Sequence, residues 1–194
     1  MNSYGDAQDI RYVHLLDGGL SDNLGLRAIL QMLLALRDDD PMLREVARRT
    51  RRILVVSVDG QSVVDRQLAQ QPSLSGVRQL INATYFTLVD AYNFETLVLM
   101  DAELRALAER FRRIRCAEAR VIAGRACGDV AGTLVYLPVT RIADDAMRER
   151  LQRTSLSLSL PRADVDALVE AGETLVRDDP RIAAIAADAA APPR

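Results

Sequence analysis

Three apolar segments of the chain have the length and composition of buried β-strands. Residues 12–16 are aromatic, β-branched or aliphatic apart from one histidine, and an aspartate follows them. Residues 53–58 form a nearly continuous apolar run that ends in Asp-Gly, which predicts a strand buried on both faces of a parallel sheet, beside the strand at 12–16. Residues 133–139 alternate well enough to form a third strand. The pattern therefore predicts a mostly parallel sheet.

The segments around these strands have the period of amphipathic helices. Asp40 and Pro41 supply an N-cap and a first-turn proline, and Pro161 suits the first turn of a later helix. The predicted helices are residues 24–37, 41–50, 77–89, 95–115, 144–152 and 161–176. Between and after them we expect a polar loop at 61–73, a short edge strand at 155–160 and a fraying, alanine-rich end at 183–194.

The helix predicted at 95–115 carries a regular apolar stripe. Its members are Leu97, Leu104, Leu107, Phe111 and Ile114. Such spacing is typical of a helix face that packs in a protein core. Because arginines stand at 110, 112, 113 and 115, contact of this helix and its predecessor with a lipid surface is the alternative interpretation.

Length, charge and composition exclude several classes of protein. The 194 residues, 49% of them hydrophobic, suffice for one domain with a core, and the ordinary charge content argues against disorder. A net charge of -2, no Trp and only three Phe argue against a nucleic-acid partner. The sequence shows no signal peptide, and its most apolar run, 24–36, is interrupted by Arg27 and Gln31, so we expect a soluble or peripheral protein of unknown compartment.

The two cysteines, Cys116 and Cys127, fit neither a Cys-x-x-Cys redox motif nor a usual zinc spacing. We therefore expect no metal and no cofactor. Two interpretations stay open for the pair: a disulfide across the loop between a helix and the next strand, or two reduced, unrelated thiols.

The most informative stretch lies where the first predicted strand meets the first predicted helix. Asp17, Gly18 and Gly19 form a turn there, and the two glycines permit backbone angles that other residues rarely adopt. Ser21, Asp22 and Asn23 can each cap the following helix. This arrangement predicts a carboxylate at the carboxyl end of a strand, close to a helix N-terminus. Binding and catalytic sites of open α/β sheets lie at such positions.

This element, Asp17-Gly18-Gly19 followed by Asn23, resembles the Asp-Gly-Gly element of patatin-like phospholipases, which are lipid acyl hydrolases that use a Ser-Asp dyad. The resemblance extends to residues 53–58 and 154–176, which are similar to the C-terminal half of bacterial members. It implies a three-layer α/β/α fold, a lipid or ester substrate, and Asp17 as the base of the dyad. Gly18, Gly19 and Asn23 would shape the turn around it.

The chain departs from the family in one respect that bears directly on catalysis. Family members carry the nucleophile upstream in Gly-x-Ser-x-Gly, after a Gly-rich oxyanion loop, and the printed sequence contains neither motif. Ser21 stands in the closest imitation, Gly-Leu-Ser-Asp-Asn, but its position after the turn predicts an N-cap. Only sixteen residues precede Asp17, so we expect residues 1–178 to be the C-terminal portion of a patatin-like domain, incomplete at its N-terminus, with an Ala/Pro-rich tail at 179–194.

This interpretation predicts a chain that is inactive alone and that pairs with the N-terminal half of its domain. Peripheral contact with a membrane is a further expectation of the resemblance.

Two neighbouring side chains carry weaker predictions. His14 lies three residues before Asp17 on the same strand, so the two side chains point to opposite faces and His14 is expected to be structural. Asp59 and Gly60 repeat the strand-end carboxylate, and a simple turn is the favoured interpretation there.

Two function hypotheses of other classes accompany the hydrolase. One is a non-catalytic binding or interaction module that lacks the nucleophile. The other is an unrelated α/β domain that binds an anion at the N-terminus of the helix predicted at 24–37.

Overall fold

The structure is a computed structural model that describes residues 18–60, 76–154 and 159–191, the side chain of Leu20 excepted. Asp17, His14, the strand predicted at 12–16, the loop predicted at 61–73 and most of the edge strand predicted at 155–160 therefore lie outside the described residues. The α-helices are α1 (Gly19–Asp22), α2 (Arg27–Ala35), α3 (Pro41–Arg49), α4 (Val77–Glu118), α5 (Asp145–Arg153), α6 (Arg162–Arg177) and α7 (Pro180–Ala190).

The strands are β1 (Arg52–Asp59), β2 (Val121–Ile122), β3 (Arg125–Ala126) and β4 (Ala131–Pro138), and a 3-10 turn at Val139–Arg141 follows β4. β1 and β4 pair in parallel along their whole length, whereas β2 and β3 form a small antiparallel hairpin. The predicted strands at 53–58 and 133–139 are confirmed. The protein is thus a mixed α/β chain whose described sheet is a parallel pair.

Side chains from alternate positions of the parallel pair enter two separate hydrophobic clusters. Ile53 and Val55 pack with residues of α2, α3 and α4, whereas Leu54 packs with residues of α5 and α6. β4 contributes Leu134 to the first cluster and Val135 to the second. Helices therefore lie against both faces of the pair, as the period of two along a strand requires.

One close backbone contact fixes how α4 lies on the sheet. A Cβ at Gly132, in β4, would collide with the backbone carbonyl oxygen of Leu104, in α4. Only glycine allows the two backbones to approach this closely.

The prediction that residues 53–58 are buried on both faces is wrong at the carboxyl end of the strand. Val56 is 40% exposed and Val58 is 58% exposed. They lie on the same strand face as Leu54, but the cluster of α5 and α6 packs against Leu54 and β4. Within the described ranges β1 also pairs with β4 alone, so its other edge has no described neighbour.

The two helices predicted at 77–89 and 95–115 are one continuous helix of 42 residues, α4. No glycine or proline stands between them to end the first helix. The buried stripe runs through Val89, Asn93, Thr96 and Met100 into the predicted core positions of α4. Because Asn93 and Thr96 are polar, they interrupt the apolar pattern, and the sequence therefore predicted two helices in place of one.

The core prediction for the stripe itself is confirmed. Leu104, Leu107 and Phe111 are buried, and Leu97 and Ile114 pack against the same cluster. The apolar face predicted at 77–89 behaves differently, because Val89 is buried but most of the large apolar residues before it are exposed. These exposed residues are Val77, Leu80, Ile81 and Leu88.

The prediction that the chain frays after residue 183 is wrong as far as Ala190. α7 begins with Asp179 as its cap, whose carboxylate accepts a hydrogen bond from the Arg181 amide at 2.9 Å. Asp188 then forms ion pairs with Arg51 and Arg52, each at 3.0 Å. The proposed boundary between residues 178 and 179 stays a prediction.

The end of α4 is attached to its surroundings by a disulfide and by a buried arginine. Cys116 and Cys127 form a disulfide, which decides between the two interpretations left open above. Next to it, the buried guanidinium of Arg115 donates hydrogen bonds to the carbonyl oxygens of Ala47, Arg48, Thr50 and Cys127. The C-terminal end of α4 is therefore held against α3 and the hairpin.

Candidate functional site

The residues that follow Asp17 form a tight turn into α1. The Gly18 carbonyl oxygen accepts hydrogen bonds from the amides of Ser21, at 3.0 Å, and Asp22, at 2.9 Å. Gly18 itself has φ -61° and ψ -23°, which any residue can adopt, and Gly19 lies within α1. The expectation that these two glycines supply unusual backbone angles is therefore wrong. In this segment a positive φ, 67°, occurs instead at Gly25.

Asp22 performs the capping role that its position predicts. Its carboxylate accepts hydrogen bonds from the amides of Leu26 and Arg27, each at 3.0 Å. The capped helix begins at Arg27, because Gly25 makes a turn after α1 where the sequence predicts a helix from residue 24. Two of the amides at this helix N-terminus are bound by the chain's own carboxylate, which argues against the hypothesis of an external anion there.

Ser21 has the geometry of a structural residue. Its hydroxyl donates a hydrogen bond to the Gly18 carbonyl oxygen at 3.2 Å. Ser21 lies inside α1, and its hydroxyl acts as a donor to the preceding turn, so the prediction of Ser21 as an N-cap is wrong. The contact is nevertheless that of a structural residue and not of a nucleophile. Asn23 is exposed at the end of α1, and its role in tying down the turn stays a prediction.

The turn lies beside the middle of α4. α1 packs against α4, and the Arg27 guanidinium lies over the Tyr92 ring at 5.0 Å from its centroid. A guanidinium over an aromatic face is a favourable cation–π contact. The segment that follows Asp17 is thus held next to the part of α4 that carries Val89, Tyr92 and Asn93.

The same part of α4 lies near the carboxyl ends of the two parallel strands. Asp59, the last residue of β1, is buried and accepts a hydrogen bond of 2.6 Å from the Tyr136 hydroxyl on β4. Burial and the Asp59 carboxylate, with a smaller contribution from Asp90 on α4, raise the pKa of the Tyr136 phenol well above its ordinary value. Tyr136 is therefore a neutral hydrogen-bond donor at physiological pH.

Further buried polar groups accompany this pair. Ser57 lies two residues before Asp59, hence on the same face of β1, and it is paired in register with Tyr136. Its hydroxyl is buried and has no hydrogen-bond partner among the described residues. Buried Asn93 and Thr96 lie on α4, the helix that covers this face. The carboxyl edge of the parallel pair is therefore its polar end.

Sequence reasoning interpreted Asp59 as a turn residue and missed Tyr136 and Ser57. Asp59 lies in β1 and is bonded across the sheet, so the turn interpretation is wrong for its side chain. A signal was present: polar residues at 57 and 59 occupy one face of an otherwise apolar strand, at its carboxyl end. This pattern indicates a polar site at the sheet edge.

The described residues can bind a polar ligand at this edge but contain no complete catalytic apparatus. Because the Tyr136 proton is donated to Asp59, the pair presents acceptor oxygens and can accept a hydrogen bond from a ligand hydroxyl. No three His, Cys, Asp or Glu side chains of the described ranges cluster in a way that could hold a metal ion.

None of the helices in the described part of the chain, α4 included, combines the length and the apolar character of a membrane span.

Comparisons with protein-family models, with curated proteins and with solved structures find no match to this chain.

Proposed function

We propose that this chain is the C-terminal portion of a patatin-like lipid acyl hydrolase and contributes Asp17 as the base of a Ser-Asp dyad. The observation that carries the proposal is the Asp-Gly-Gly-x-x-x-Asn element together with the geometry of its described part. Gly18, which directly follows Asp17, opens a hydrogen-bonded turn into α1, and α1 packs against α4.

The sheet edge supports the same proposal. In open α/β sheets, ligands bind outside the carboxyl ends of the parallel strands. In this chain those ends carry Asp59, Tyr136 and Ser57, close to the part of α4 beside which the turn lies. In the proposed three-layer α/β/α domain we expect the strand before Asp17 to join this sheet and to bring Asp17 to the polar edge.

The proposed reaction is acyl transfer to a serine. Asp17 accepts the hydroxyl proton as the serine oxygen attacks the ester carbonyl, the alcohol leaves with a proton, and water then hydrolyses the acyl-enzyme. Because the printed sequence lacks Gly-x-Ser-x-Gly, the serine and the oxyanion donors come from the missing N-terminal half. The substrate class is a lipid or other carboxylic ester.

Exposed apolar residues support the need for such a partner. Val56 and Val58 on β1 are exposed, as are large apolar residues along α4, which include Val77, Leu80, Ile81, Phe94, Val98 and Leu99. Exposed apolar side chains that cluster on one surface are typical of a contact with another protein or a membrane. The missing half of the domain, or a lipid surface during catalysis, would cover it.

The decisive experiment reunites the chain with the nucleophile. The reading frame is extended upstream of Met1, searched for Gly-x-Ser-x-Gly, and expressed with Asp17→Asn. This change preserves the size of the side chain but removes the proton acceptor, so ester hydrolysis should fall by ~10²–10⁴-fold.

Asp22→Asn is the matched control, because asparagine caps a helix about as well as aspartate. It should retain activity within about twofold and melt slightly below the wild type, because the asparagine oxygen keeps one of the two hydrogen bonds that the Asp22 carboxylate accepts. An Asp17→Asn enzyme that keeps activity within a few-fold and melts normally would contradict the dyad.

The chain as printed should be inactive toward nitrophenyl esters and phospholipid vesicles, since the strongest contributors to catalysis are absent. Turnover above buffer that Ser21→Ala abolishes would overturn both this proposal and the structural role of Ser21.

A further inference from the structure

A groove between α3 and the C-terminal third of α4 is rich in arginine. It has a volume of about 500 Å³ and is lined by Arg44 and Arg48 from α3 and by Arg110 and Arg113 from α4. Asp38 and Glu118 are the acidic residues that line it. Four positive and two negative groups leave a net charge of +2 on the lining.

Ion pairs occupy the two ends of this groove. At one end Arg110 binds Asp38 at 2.6 Å and also donates a hydrogen bond to the Leu36 carbonyl oxygen at 2.9 Å. At the other end Arg48 binds Glu118 at 2.8 Å. These contacts connect α4 to α3 and to the segment before it, so the walls of the groove are held in place by its own charges.

Two further guanidinium groups of the groove form no ion pair with the residues that the structure describes. Arg44 lies between residues 38 and 48, and Arg113 lies between residues 110 and 118, so each falls between the two end pairs along its own segment. Neither guanidinium forms a hydrogen bond or an ion pair with any residue of the described ranges.

An acidic residue that interacts electrostatically with Arg44 is already paired with another arginine. The positive charge of Arg44 contributes to the lowered pKa of Asp39, but a hydrogen bond from Arg37 is the main cause. The ion pair between Asp39 and Arg37 is 3.0 Å long. Asp39 therefore leaves Arg44 available to a ligand.

We propose that this groove binds a phosphate monoester, with the dianionic phosphate between Arg44 and Arg113. Two unpaired guanidinium groups match the two charges that a phosphate monoester carries above its second pKa, and the planar fork of arginine suits phosphate oxygens. Ile114 and Ala117 line the groove between the arginines and provide an apolar surface for the rest of the ligand. The site is separate from the proposed dyad and does not depend on it.

The basic groove is tested by isothermal titration calorimetry of the chain with phenyl phosphate and, separately, with phenyl sulfate. Both titrations are made at pH 7.5 and low salt. Phenyl sulfate has one charge, so it should bind several-fold more weakly. The double variant R44Q/R113Q should weaken phenyl phosphate binding by about tenfold or more, because each lost contact is a hydrogen bond to a charged group.

R162Q/R177Q is the matched control, since it removes the same charge from two exposed arginines of α6. It should change the affinity by less than about twofold, and thermal melts of both variants verify that they fold.

A second arm identifies the source of the phosphate. Phosphatidylcholine vesicles with and without phosphatidic acid present the same monoester on a lipid surface. If the vesicles with phosphatidic acid bind the chain and R44Q/R113Q abolishes this binding, the site is supported with a lipid headgroup as its ligand. If only phenyl phosphate binds, and R44Q/R113Q weakens that binding, the site is supported with a soluble ligand. If neither arm shows saturable binding, or if both double variants weaken it equally, the proposal is overturned.

Discussion

The Tyr136 hydroxyl donates a hydrogen bond of 2.6 Å to the Asp59 carboxylate and thereby joins the carboxyl ends of the two parallel strands. The residues are 77 positions apart in the chain. Asp59 is buried at the carboxyl end of β1, where Val56 and Val58 on the opposite face are exposed, so this bond lies where the sheet is covered on one side only. The hydrogen bond therefore stabilises the sheet edge through two residues that belong to the polar site.

Tyr136→Phe should therefore destabilise the protein by ~1–3 kcal/mol, because it leaves a buried carboxylate with one partner fewer. Urea unfolding at pH 7 measures the loss. Tyr92→Phe is the control, since it removes a hydroxyl but keeps the ring that Arg27 contacts, and it should cost less than about 0.5 kcal/mol. Equal losses in the two variants would show that the bond to Asp59 contributes nothing specific.

The same pair gives a prediction at alkaline pH. The pKa of Tyr136 is raised in the folded state, so the stability it contributes is complete below the ordinary value of 10.0 and is lost as the pH rises above that value. The difference in unfolding free energy between wild type and Tyr136→Phe should accordingly shrink in titrations above pH ~10. A difference that grows there would contradict the direction of the shift.

The ion pairs of Asp179 predict how the stability of the protein changes in acid. Hydrogen bonds from Arg181, at 2.7 Å, and Arg141, at 3.0 Å, hold the pKa of this buried carboxyl far below its ordinary value of 3.8, although burial acts in the opposite direction. A lowered folded-state pKa contributes stability above the unfolded value, and that stability is lost as the pH falls below it.

Asp179→Asn should thus cost ~1–3 kcal/mol above pH ~5, and this difference from the wild type should narrow below pH ~4. Urea unfolding between pH 2 and pH 7 measures it. Asp178→Asn, on the exposed neighbour, should cost less than about 0.5 kcal/mol at pH 7. A pH-independent loss in Asp179→Asn would indicate a cap without a charge contribution.

Gly132→Ala tests the close contact between β4 and α4. The added Cβ would lie 2.9 Å from the Leu104 carbonyl carbon and closer still to its oxygen, so the helix or the strand must move. Overpacking of this kind costs ~1–3 kcal/mol in thermal or urea unfolding. Gly128→Ala meets no atom within 4 Å and should unfold within about 0.5 kcal/mol of the wild type. A neutral Gly132→Ala would show that the backbones are not in contact.

Removal of the disulfide tests how the hairpin is attached to α4. Cys116 and Cys127 are 11 residues apart, and a loop of that length predicts a loss of roughly 3 kcal/mol in Cys116→Ser/Cys127→Ser. Reductant should lower the melting temperature of the wild type toward that of the double variant, which reductant should leave unchanged. A wild type that melts at the same temperature in reductant would contradict the expected contribution.

The local features of the chain could be predicted from sequence because their causes lie within a few residues. Asp22, Asp40 and Asp144 each bond backbone amides two to five positions ahead, so the capping side chain and the capped helix are read from one short segment. The strands at 53–58 and 133–139 and the core stripe of α4 follow from hydrophobic period alone.

The remaining features were decided by the tertiary structure, because their partners are distant in sequence. Tyr136 reaches Asp59, Asp188 reaches Arg51 across 137 positions, and Asn93 and Thr96 are buried within one helix whose apolar pattern they interrupt. Burial of a polar group depends on a partner or on packing that only the folded chain brings close. The sequence by itself therefore determined the α/β class, the caps and the Asp-Gly-Gly element, whereas packing decided the continuous α4, the ordered α7 and the polar edge of the sheet.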